Sequence, residues 1–254
     1  MRSIFVIARN TVADALSRIV LQIILIFGLL FLVIGFFFTF MTPGEEDKML
    51  KDLGLTAITV FGLVMAIFMG VSLIQPEVER RTVYAVLAKP VRRLEFMLGK
   101  YLGAVLVLLL SVAIMGVVLV GALYLKQQVW NPGLLVALIG TFFSLMIMTA
   151  LVMMISTFAS SLMAVVCGFL FWSIGYSQIY IKQLAEHADN QASKYLLVVM
   201  NTILPNFSTL DIRPAVVDGA IIPMGLIAWM VAYGLLYTTI VIALAAVLFY
   251  EREL

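Results

Sequence analysis

The side chains that could do chemistry in this chain are few, and their spacing excludes most enzymatic uses. There is one histidine, His187, so a zinc-binding pair at i and i+4 has no second member. His187 lies in a polar stretch and reads as a solvated loop side chain. Ser177, in the run Gly175-Tyr176-Ser177-Gln178, would need a histidine base on a facing segment. No later apolar run carries one, so Ser177 reads as a packing or capping hydroxyl. The Gly-x-Ser-x-Gly elbow of soluble hydrolases is absent. Cys167 is the only cysteine, which rules out an intrachain disulfide and reads as a small apolar filler. Gly99-Lys100 is the only Gly-Lys step, and Leu94 stands where a phosphate-binding loop needs its first glycine. The expectation is therefore no catalytic, cofactor-binding or metal-binding residue in this chain.

What remains is charge, and it is unevenly placed. Of the 254 residues, 64% are hydrophobic and 12% charged, against roughly 25% charged in an ordinary soluble domain. So few charges cannot cover the surface of a soluble fold of this size. A soluble enzyme, a disordered chain and a nucleic-acid binder are excluded, and a net charge of +2 gives no footprint for a polyanion. Six segments are long and apolar enough to span a bilayer: 19–41, 53–75, 101–125, 133–158, 162–181 and 223–250. None contains Asp, Glu, Lys, Arg or His, which argues against proton-coupled transport. The expected fold is an all-α polytopic membrane protein with six transmembrane helices, forming one domain over 1–254.

The connecting segments carry the rest. Residues 3–18 read as an amphipathic interfacial helix, with Ile4, Phe5, Ala8, Val12, Ala15 and Leu16 on one face. With both termini cytoplasmic, the inner segments hold ten Lys and Arg and the outer ones six, so that orientation is expected. Residues 182–222 form a long outer segment. Within it, 195–204 is apolar but too short to span and is stopped by Pro205, which suits a re-entrant helix that Asn206 to Asp211 would cap. Nine of the thirty charged residues fall between 76 and 100, the one sizeable cytoplasmic segment. Pro76 suits the first turn of a short helix there, followed by Glu77 and Glu79 near its positive end. Lys89-Pro90 ends it, and Gly99 and Gly103 follow at small-xxx-small spacing.

Pro76, Glu79, Thr82, Leu87, Lys89-Pro90-Val91, Arg92-Arg93, Phe96 and Gly99-Lys100 together resemble the cytoplasmic signature of ABC type-2 permeases. Arg81 stands where that family commonly has glycine. The resemblance covers the whole chain, including the amphipathic lead and the long outer segment. It implies a coupling helix near 79–88 that docks into a cytoplasmic ABC ATP-binding subunit through Glu79, Arg80, Arg81, Thr82, Tyr84 and Leu87. ATP and Mg would be bound by that partner and not by this chain. A second permease copy or paralogue would complete the pathway, two permeases with two ATPases, in a bacterial cytoplasmic membrane. The implied function is export of an apolar or amphipathic substrate.

Within the spans, Gly62, Ala66 and Gly70 recur at four-residue spacing and read as a helix-packing stripe. Met146, Met153, Phe169, Trp172 and Tyr176 are candidate pathway-lining residues, with core packing as the competing role. Two other readings are a non-transporting membrane organiser of an ABC-type assembly and, behind it, an intramembrane enzyme.

Overall fold

The structure, a computed structural model, describes residues 2–38, 45–79, 93–128, 131–186, 204–220 and 222–251. The described secondary structure is helical: α1 (Arg2–Ser17), α2 (Ile19–Phe38), α3 (Glu46–Glu79), α4 (Arg93–Gln127), α5 (Pro132–Ser156), α6 (Ser161–Tyr176), α7 (Gln178–Glu186), α8 (Arg213–Val217) and α9 (Met224–Glu251). A 3-10 turn spans Phe207–Thr209. Five of these helices, α2, α3, α4, α5 and α9, are long and apolar enough to cross a membrane, and α6 is a shorter apolar helix. The chain is an all-α polytopic membrane protein.

The centre of the bundle is α5. Asn131 caps its start by accepting from the Gly133 amide, and Pro132 fits the first turn, where its missing N–H costs nothing. Sixteen of its 25 residues are buried. Along α3 the small residues let α5 come close. A methyl group on Gly62 would meet the Leu145 side chain, and one on Gly70 would stand 2.8 Å from Val152 Cβ. Thr149 returns its hydroxyl to the Leu145 carbonyl, which keeps a polar group satisfied inside this apolar interface. Contacts advance together along both chains, so α3 and α5 run in the same direction. Gly168 of α6 closes against Ile67 and Val152 on the other side.

Two elements depart from what the sequence predicts. The helix expected to begin at Pro76 does not begin there: α3 continues through Pro76 to Glu79. Proline removes only one ladder bond, to the Ser72 carbonyl, and a 34-residue helix has neighbours enough to absorb it. The apolar run 162–181 is likewise not one helix. α6 ends at Tyr176, with Ser177 as its C-cap donating Oγ to the Ser173 carbonyl, and α7 begins at Gln178.

The first helix forms where periodicity predicts it, and it packs on α4 through its small residues. Ala8, Thr11 and Ala15 are buried, while Phe5, Val6 and Leu16 are exposed. The reason lies on α4. A methyl group on Gly99 would meet Ile7 Cβ at 2.8 Å, and one on Gly103 would meet the Ala8 carbonyl oxygen at 2.8 Å. Backbones this close select small residues on both sides. Gly103→Leu is expected to push α1 off α4. Overpacking of this kind costs about 1–3 kcal/mol, so trypsin cleavage at Arg9 should accelerate while helix content by circular dichroism stays unchanged.

Candidate functional site

Two regions gather the polar groups of an otherwise apolar bundle, one at each end. The first frames residues 80–92. Those residues, with Arg80, Arg81, Thr82, Tyr84 and Leu87, lie outside the described residues, and Glu79 is described only as the last residue of α3. What is described is how both ends of the segment are held. On α3, Gln75 is buried and donates Nε2 to the Ala159 carbonyl, in the turn between α5 and α6. One turn deeper, Ser156 hydrogen-bonds the Met153 carbonyl at 2.8 Å and faces the Gly70 carbonyl. On α4, Phe96 and Met97 are buried, and the Lys100 ammonium lies 5.5 Å from the Phe96 ring centre. Gly99 and Gly103, just beyond, seat α1.

Segment 80–92 is therefore suspended between two anchored helix ends, one tied to α6 through Gln75 and the other to α1. Sequence reading treated Gln75 only as the end of a span. Its signal was a lone amide closing an apolar run. Gln75→Leu leaves the Ala159 carbonyl unsatisfied, which costs about 1–3 kcal/mol. A lower unfolding temperature in detergent is expected for Gln75→Leu. Gln75→Met should lose as much, because neither replacement can donate.

The second region is a cap built from residues 204–217, at the end of the bundle where α3 and α5 begin. It reaches inward. Arg213 touches Thr56, ten residues and about 15 Å along α3 from its start. The Leu210 carbonyl lies against Gly140, eight residues and about 12 Å along α5. Only glycine fits at Gly140, and Gly175 of α6 gives the same room to the Phe207 ring and the Pro205 carbonyl. Phe207 is fully buried, with its ring centre 4.9 Å from that of Trp172 and 6.2 Å from that of Tyr176.

Polar groups then fasten the cap on each side. Gln178 donates to the Leu204 carbonyl at 2.8 Å and the Pro205 carbonyl at 3.1 Å. The Asn206 amide donates to the Tyr233 hydroxyl of α9 at 2.8 Å, and the Asn206 side chain accepts from the Thr209 amide, which caps the 3-10 turn. Arg213 pairs with Asp211 in a two-pronged contact, Nε to Oδ1 at 2.7 Å and Nη2 to Oδ2 at 2.5 Å. Its Nη1 reaches the Thr56 hydroxyl at 3.2 Å, and its guanidinium lies 5.8 Å from the Tyr176 ring centre. The Asp211 side chain is 13% exposed and that of Arg213 19%. The hydrogen bonds that Arg213 donates to the Asp211 carboxylate hold its pKa above the ordinary value, against the opposing effect of burial.

The residues singled out in the sequence are thus distributed. Trp172 and Tyr176 meet under the cap, 4.7 Å apart between ring centres, whereas Phe169, two turns earlier on α6, is exposed. Met146 and Met153 are buried within the bundle on α5, and the Met146 carbonyl accepts from the Tyr101 hydroxyl at 2.9 Å. Gly62, Ala66 and Gly70 line the α3–α5 contact. His187 and most of 195–204 lie outside the described residues. Sequence reading missed Thr56, Gly140, Gln178, Asp211, Arg213 and Tyr233 as one cluster. Only the Asp-x-Arg pattern at 211–213 could have hinted at it. Among the described residues no group of three or more His, Cys, Asp or Glu could hold a metal ion.

Compared with known proteins, the chain matches the model of one family, described as ABC-2 family transporter protein, over residues 13–254. No curated protein matches it significantly.

Proposed function

This chain belongs to the ABC-2 transporter family, and we propose that it serves there as the transmembrane permease subunit of an ATP-driven exporter. The observation that carries this reading is a family match spanning residues 13–254, nearly the whole chain. ATP and Mg are bound by a separate ABC ATP-binding subunit, which docks on the coupling segment through Glu79, Arg80, Arg81, Thr82, Tyr84 and Leu87. Two permeases, copies or paralogues, assemble with two such subunits in a bacterial cytoplasmic membrane. Both termini and residues 80–92 face the cytoplasm, and the cap faces outward.

The coupling route follows from the anchors. Closure of the ATP-binding subunits moves segment 80–92, which is continuous with α3 and α4. The Gly62–Gly70 stripe carries α3 motion into α5, and Gln75 carries it into the start of α6. The far end of α6 holds Phe207 of the cap through Trp172 and Tyr176. A displacement at one end of the bundle therefore loads the cap at the other and releases it from the clamped arrangement. The substrate of this exporter is apolar or amphipathic, in keeping with spans that carry no charged side chain.

The test is co-purification. A co-expressed ABC ATP-binding subunit is expected to co-purify with this chain, and Tyr84→Ala combined with Arg81→Glu is expected to abolish that association while leaving the bundle folded. An intact complex after both changes would sink the coupling-segment assignment.

A further inference from the structure

An apolar groove of about 360 Å³ opens on the side of the bundle between α2, α3 and α4. Its walls include Val33 and Phe36 of α2, Leu50 of α3, and Val118, Gly121 and Leu125 of α4. All six lie in helices long and apolar enough to cross a membrane, so the groove faces hydrocarbon. Along α4 it runs from Val117 to Leu125, about 12 Å. A slot of that length suits a single acyl chain laid along α4. At Gly121 an added methyl group would meet nothing within 4 Å, so the slot is open at its floor.

Its end is charged. One turn beyond Leu50 on α3 stands Glu46, and one turn beyond Ala122 on α4 stands Lys126. The two form an ion pair across the helices. Such a pair lies at headgroup level and presents one positive and one negative group side by side. That pattern complements a zwitterionic headgroup, with phosphate toward Lys126 and ammonium toward Glu46. An anionic headgroup would meet the Glu46 carboxylate as well.

We propose that this groove holds one acyl chain of a zwitterionic phospholipid whose headgroup pairs with Lys126 and Glu46. The bound lipid fills the space between α2 and the rest of the bundle, a space that no side chain of the described residues fills. In a solvent as apolar as the groove itself, shape and the headgroup pair provide the preference.

The test uses the full chain, with its co-purifying subunits, in vesicles of phosphatidylethanolamine and phosphatidylglycerol. The probe is a phosphatidylethanolamine carrying a photoactivatable group in its acyl chain, and adducts are mapped by mass spectrometry. Adducts are expected at 32–36 and 117–125. The matched phosphatidylglycerol probe should label these positions about fivefold less, from the cost of one opposed charge at the surface. Gly121→Phe fills the slot from α4 and Val33→Phe fills it from α2. Each is expected to remove these adducts while labelling of α9 persists, and either variant suffices if the other does not fold. Adducts spread evenly over lipid-facing positions, adducts unchanged in a folded filled variant, or cross-links to a second copy at the groove would overturn the proposal. Equal labelling by phosphatidylglycerol would overturn the zwitterionic occupant.

Discussion

Replacing Asp211 by alanine is expected to cost about 2–3 kcal/mol and to free the cap for proteolysis. Breaking a buried ion pair by removing one partner strands the other charge, at about 3–5 kcal/mol when burial is complete. Here the Arg213 side chain is 19% exposed, so part of the penalty is relieved by water. Two further contacts depend on the same guanidinium position, the Thr56 hydroxyl and the Tyr176 ring face, and the Arg213 backbone amide loses its bond to Asp211 as well. Once Asp211 is gone, the lowest-energy course for Arg213 is to swing into solvent, which takes α8 with it. The rate of chymotrypsin cleavage after Phe207, fully buried in the clamped cap, should then rise by about thirtyfold or more, since each 1.4 kcal/mol is a factor of ten when cleavage follows the open population. The double variant Asp211→Ala with Arg213→Met removes both charges and is expected to recover most of the protection. If the double variant is as exposed as the single one, the pair does not clamp the cap.

Gly70→Leu is expected to disrupt the bundle, by about 3 kcal/mol. A methyl group there already stands 2.8 Å from Val152 Cβ and 3.0 Å from the Thr149 carbonyl oxygen. The first contact is with a side chain branched at that carbon, and the second is with backbone, so neither can rotate away. α3 must move bodily from α5, and the contacts of Ser156 with Gly70 and of Thr149 with Ala66 are lost with it. Gly225→Leu is the control, because a methyl group on Gly225 meets nothing within 4 Å. Size-exclusion profiles after detergent extraction should show Gly70→Leu aggregated and Gly225→Leu monodisperse. Equal profiles would mean that the α3–α5 contact does not hold the bundle together.

The span positions were legible because they rest on a one-dimensional property. A run of some twenty residues without a charge has one destination, and α2, α4, α5 and α9 follow such runs closely. The failures were of another kind. Pro76 was read by its local rule, and the local rule lost to a long helix already packed on its neighbours. Periodicity placed α1 and its apolar side, but not that Ala8, Thr11 and Ala15 would seat it on Gly99 and Gly103 of α4. A pairing preference needs the partner, and periodicity within one helix does not contain it. The cap was the least legible part. Thr56, Gly140, Gln178, Asp211 and Tyr233 are scattered over 178 positions of sequence, and only the fold places them around one loop. Residues 80–92, which charge density and motif single out, lie outside the described residues.

The central claim is that energy enters at residues 80–92 and is delivered at the cap. The most direct measurement places a single thiol on the cap, Ser208→Cys in a Cys167→Ser background, in the complex reconstituted with its ATP-binding subunit. Thiol-labelling rate is then recorded with and without a nonhydrolysable ATP analogue. The account predicts a nucleotide-dependent rise in labelling that disappears when Tyr84→Ala and Arg81→Glu are added. A cap whose labelling ignores nucleotide, or still responds to it in that double variant, would contradict the account.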